Sequence, residues 1–165
     1  MMLARVLQNG IRERLTAGAR AALLGTLMIG GSLLASRDAM ANSAMSSAAS
    51  TASAGMGACN SNAGKALYEC VANVLDKLSS DISSVNVPQT RSALQNAAAK
   101  LRTATSKAQA LSAISQCRAL ISGALRQVRA IGGKVPGWGG GEGGAGLEAI
   151  AGVLGRAAAL IQSKG

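Results

Sequence analysis

The sequence predicts an all-α fold, a small helical bundle with a further C-terminal helix, on three observations. Apolar residues recur at spacings of three and four between Asn62 and Ala130, and again from Leu147 to Ile161. Alanine, the strongest helix former, is abundant, whereas Phe is absent and Tyr and Trp occur once each. Pro88 falls between two apolar lines of the first stretch, and Pro136 with the densest run of glycine falls between the two stretches.

The chain begins with Arg5, Arg12, Arg14 and Arg20 against a single acid, Glu13. About fourteen uncharged residues follow, Ala21 to Leu34, short of the roughly 20 that a membrane-spanning helix needs. Ala39-Met40-Ala41 then places small residues at the first and third positions of an A-x-A cleavage site. This order predicts a secretory signal peptide over residues 1–41, with Ala39 and Ala41 at the cleavage site. Two other readings account for less of it. The Leu/Ile and Arg pattern of residues 3–15 could form a transit-peptide helix, and Gly30-Gly31 could be a double-glycine export site, but the continuous apolar run suits neither.

Removal of residues 1–41 leaves 124 residues, enough for one domain. They carry 12 basic and five acidic residues, a charge of +7. That excess favours anionic partners, such as lipid headgroups, acidic polysaccharide or nucleic acid, or serves solubility alone, and it is silent on fold. Leu, Ile and Val supply 24 of those residues, a thin core that Ala-rich helix propensity and cross-links must support.

Residues 42–60 are rich in Ser, Ala, Thr and Gly, and with no apolar period they are expected to form a flexible, disordered tether. The helical domain then spans residues 61–131. Its first helix, about Asn62 to Ser84, carries Leu67, Val71, Val74, Leu75, Leu78 and Ile82, with Ser61 or Asn62 as cap. Asn86-Val87-Pro88-Gln89 ends it and starts a second helix, combining Pro at the first turn with a capping-box spacing. Leu94, Ala97, Ala98, Leu101 and Ala104 form the second apolar line, and Leu111, Ile114, Cys117, Ile121, Leu125 and Val128 the third.

Between these last two lines lies Thr103-Ala104-Thr105-Ser106, where Ser106-x-x-Gln109 repeats the capping-box signature but no Gly or Pro enforces a break. Two architectures follow: three helices, or one long helix folded back on the first as a hairpin. Residues 132–146, nine of fifteen of them glycine, predict a flexible linker, and residues 147–165 an amphipathic helix packed on the bundle.

In an exported chain Cys59, Cys70 and Cys117 are disulfide candidates, and their odd number leaves one free or joined to another chain as a covalent dimer. The three-helix arrangement sets Cys70 beside Cys117 on parallel helices, and the long hairpin sets Cys59 beside Cys117. The pairing would therefore report the architecture.

Catalytic chemistry finds little support. There is no histidine, hence no Ser-His or Cys-His nucleophile pair, and three scattered cysteines make no tetrahedral zinc set. The acids show no paired spacing on one face. Gly139-x-Gly141-x-x-Gly144 matches a dinucleotide fingerprint, but no strand precedes it and a run this rich in glycine matches by chance. No catalytic residue, metal site or cofactor is predicted.

The positive signal is basic. Arg118, Arg126 and Arg129 fall within about 80° of one another on the third helix, with Lys134 just beyond, and could hold phosphates or anionic headgroups. The scarcity of aromatics argues against specific nucleic-acid binding. These features predict an exported, non-enzymatic binding or assembly module of the bacterial periplasm or envelope, or a secreted one, facing an anionic or protein partner. The alternatives are a secreted membrane-active polypeptide of the bacteriocin type and a disulfide-linked structural subunit.

Overall fold

The computed structural model describes residues 35–130 and 143–165. Among these residues the elements are five α-helices: α1 (Ala35–Ala58), α2 (Gly64–Asp81), α3 (Pro88–Thr103), α4 (Lys107–Ala130) and α5 (Gly143–Lys164), with a 3₁₀ turn at Cys59–Ser61 after α1. The all-α helical bundle is thus present. Each of α1 to α4 packs against its successor in the chain, and α5 packs on α4, α1 and α2, which closes the set. The predicted leader, apart from residues 35–41, and most of the glycine-rich segment, including Lys134 and Gly139 to Glu142, lie outside the described residues.

The expectation of a disordered tether at 42–60 does not hold, because those residues are α1 and its 3₁₀ turn. Met45, Ala48, Ala49, Ala52 and Met56 recur at spacings of three and four and are all buried. Between Met45 and Met56 the period is written in alanine, which differs little in hydrophobicity from the serines around it, although Ala is the best helix former. Ser43 Oγ donates to the Met40 carbonyl at 2.9 Å, which occupies a hydroxyl that would otherwise compete with helix formation. The small side chains let neighbouring helices approach closely. A Cβ placed on Gly55 would lie 3.0 Å from Val74 Cγ2 on α2, and one placed on Gly146 of α5 would lie 2.8 Å from Met45 Cβ.

Helices α2 to α4 begin and end close to the expected positions, but by partly different means. No side chain caps α2: its N-cap is Ala63, and Ser61 Oγ instead donates to the Ala58 carbonyl. Asn86 likewise makes no cap. Val87 is the N-cap of α3, without a side-chain hydrogen bond, and Pro88 at N1 starts the helix by fixing its own φ.

The second capping box does form. The Gln109 N–H donates to Ser106 Oγ at 3.3 Å, while Gln109 Oε1 accepts from the Thr105 N–H at 2.8 Å and from Thr105 Oγ1 at 3.1 Å. That reciprocal cap breaks the chain at 104–106 and selects separate helices over the long hairpin.

The predicted apolar lines are inside. Leu67, Val71, Leu75, Leu78 and Ile82 of the first meet Leu94, Ala98 and Leu101 of the second and Ile114 and Ile121 of the third in one core. Helix α5 starts at Gly143, earlier than the expected 147, so Gly143 to Gly146 belong to the helix rather than to the linker. By length and composition it could cross a bilayer. Its apolar side, with Leu147, Ile150, Val153, Leu154 and Ile161, is nevertheless buried in the bundle.

Candidate functional site

The cysteines settle into a pairing that neither expected architecture gave. Cys59 is bonded to Cys70, with alpha carbons 5.7 Å apart, and Cys117 is a free thiol. The difference follows from α1. As part of a tether Cys59 had no fixed address, whereas at the end of a packed helix the 3₁₀ turn reverses the chain and returns it onto the second turn of α2. Cys117 points into the core at 2 % exposure, and burial pushes its thiol up to about 12. An intermolecular disulfide through Cys117 would therefore require the bundle to open.

The structure divides the predicted basic edge. Arg118, Arg126 and Arg129 share the outer side of α4 next to α5, all three exposed. Arg129 is neutralised, its Nη2 donating to Glu148 Oε1 on α5. Among the described residues Arg118 and Arg126 have no ion-pair partner, and Arg126 folds back toward the open surface over Gly123. Two guanidinium groups thus remain free to meet an anion.

The acids of α2 and α5, Glu69, Asp76, Asp81 and Glu148, are already engaged. Glu69 pairs with Lys65 at 3.9 Å and Asp81 with Lys77 at 3.0 Å, both one helical turn apart. Asp76 pairs with Arg102 at 2.5 Å, and the same guanidinium donates to Asn73 Oδ1 at 2.9 Å, which ties α2 to α3. No group of three or more His, Cys, Asp or Glu side chains that could hold a metal ion occurs among the described residues. The unmatched charge on this surface is positive.

A second feature has no counterpart in the sequence reading. A shallow trough runs along the seam between α1 and α5, with one section of about 570 Å³ beside Met56, Asn60 and Leu160, and another of about 400 Å³ beside Ser46, Ser50 and Gly152. Ser53 and Arg156 line both sections, and Arg156 is the only charged side chain in either. The signal for it was the small-residue outer face of residues 46–57, which becomes visible only once that stretch is read as a helix. Ala39 and Ala41, the expected cleavage positions, fall in the first turns of α1, and Ala41 is half-buried against the core.

No known protein family, curated protein or solved structure matches the chain.

Proposed function

We propose that the protein is an exported, non-enzymatic helical module that binds an anionic component of the cell envelope through the outer edge of α4. One observation carries this reading: Arg118 and Arg126 stand exposed without an acidic partner among the described residues, while Glu69, Asp76, Asp81 and Glu148 are each held by a Lys or Arg. Such an edge concentrates anions without positioning a reactive group. Export is supported by the basic and apolar order of residues 1–34 and by the small residues Ala39 and Ala41 at the expected cleavage site.

The test is cosedimentation with vesicles containing phosphatidylglycerol, compared with phosphatidylcholine vesicles, together with titration against a soluble acidic polysaccharide. The reading requires an anion-dependent, salt-sensitive interaction that falls in an R118A/R126A variant of unchanged stability. Equal binding by that variant would reject the edge, and intact mass showing residues 1–41 retained on secreted protein would reject the expected processing.

A membrane-active polypeptide is the second reading, favoured by the length and apolar composition of α5. Insertion would have to pull Leu147, Ile150, Leu154 and Ile161 out of the core. Dye leakage from the same vesicles distinguishes the two.

A further inference from the structure

The outer face of α5, between α1 and α4, exposes Ala145, Glu148, Gly152, Arg156 and Ala159. A Cβ built on Gly152, or on the half-buried Gly155, meets nothing within 4 Å, so the backbone of another helix could approach closely there. Glu148, Gly152 and Arg156 are spaced by four and form one ridge of the kind that interdigitates when helices pack.

We propose that this face pairs with the same face of a second copy of the chain, antiparallel, about a twofold axis at Gly152. In that arrangement residues equally distant from Gly152 in opposite directions face one another. Gly152 meets Gly152, Ala149 meets Gly155, Ala145 meets Ala159, and Glu148 meets Arg156, twice by symmetry. Every pair is small against small or acid against base.

Charge fixes both direction and register. A parallel pairing in register sets Arg156 against Arg156 and Glu148 against Glu148. Moving the antiparallel centre by one turn places either Glu148 or Arg156 opposite itself. Only the centre at Gly152 matches the charges, and an isologous contact of this type is the commonest way for a chain to associate with itself.

The two groups also have capacity to spare. Arg129 engages Oε1 of Glu148 and leaves Oε2 without a partner among the described residues, and Arg156 has no ion pair among them. A partner's Arg156 would complete an Arg–Glu–Arg cluster beside the α4 edge. The interaction goes beyond the anion-binding reading and does not depend on it.

The experiment uses purified protein carrying Gly152→Cys, with Ala119→Cys on the exposed side of α4 as the control. The native cysteines do not interfere, since Cys59 and Cys70 are bonded and Cys117 is buried. Mild oxidation should cross-link the first variant into a dimer much faster than the second, because a residue on the axis faces its own copy. By sedimentation velocity the unmodified protein should show a concentration-dependent monomer–dimer equilibrium. Arg156→Glu should weaken it about tenfold, as two matched pairs become two repulsions, and adding Glu148→Lys should restore it. Arg129 does not confuse that rescue, because its repulsion of the new lysine is present in monomer and dimer alike. A protein monomeric at every concentration, a dimer indifferent to Arg156→Glu, or cross-linking of Gly152→Cys no faster than of Ala119→Cys would each overturn the proposal.

Discussion

Gly146→Ala and Gly155→Ala add the same methyl group to the same helix, and the structure gives them opposite signs. At Gly155 the new Cβ meets nothing within 4 Å. The expected result there is the helix-propensity gain of Ala over Gly, about 1 kcal/mol. At Gly146 the new Cβ would lie 2.7 Å from Met45 Cε, 2.8 Å from Met45 Cβ and 3.2 Å from Asn42 Oδ1. The thioether end of Met45 can rotate away, but its Cβ is fixed to the α1 backbone, so that contact is relieved only by moving α1 and α5 apart. Overpacking of this kind costs about 1 to 3 kcal/mol. The propensity gain is also smaller at Gly146, which lies in the first turn of α5. The two variants should therefore differ by roughly 2 to 4 kcal/mol. Urea denaturation followed by far-ultraviolet circular dichroism measures this directly, and equal slopes for the two variants show that the same surface is exposed in both. Stability of Gly146→Ala equal to or above that of Gly155→Ala would refute the close approach of α1 and α5.

Four further outcomes are expected. Reducing the Cys59–Cys70 bond, which spans 11 residues, should cost about 3 kcal/mol in the chain-entropy account, and non-reducing peptide mapping should find these two cysteines joined and Cys117 alone. The Cys117 thiol should resist alkylation until the protein unfolds. Its ionisation in the folded state is raised from 9.0 to about 12, so the unfolded chain ionises first. Wild-type stability relative to Cys117→Ala is then constant below about pH 9 and falls as pH rises from there toward 12; a difference that stays flat across that range would contradict the burial of the thiol. Thr90 is buried with no hydrogen-bond partner for its Oγ1, so Thr90→Val should raise stability by about 1 kcal/mol in a melting experiment, whereas a loss would reveal a partner for the hydroxyl. Ser106→Ala should cost about 1 kcal/mol and Asn86→Ala almost nothing, since of the two capping boxes only the one at Ser106 and Gln109 is made.

Much of this protein could be read from local pattern. The apolar lines of α2, α3, α4 and α5 are written in Leu, Ile and Val, whose hydrophobicity contrasts with the residues between them, and they fall on the buried faces expected. Pro88 and the Ser106–Gln109 box mark helix starts by local chemistry, independent of anything distant. The acidic and basic residues count directly from the chain, so the positive balance needed no coordinates.

The tertiary structure decided the rest, and α1 shows why. Alanines spaced by three and four among serines, with a methionine only at either end, carry little hydrophobic contrast, so their period acquires meaning only when α2 and α5 lie against it. Once α1 is placed, the address of Cys59 changes, its bond passes to Cys70, and Cys117 is left in the core. The same step creates the trough and exposes Arg156 along it. The sequence listed the arginines of the basic edge, but only the approach of α5 to α4 determined that Glu148 neutralises Arg129 while Arg118 and Arg126 stay free. Charge pairing, like a disulfide, depends on distances between segments remote along the chain, and those distances are set by how closely small side chains let helices approach.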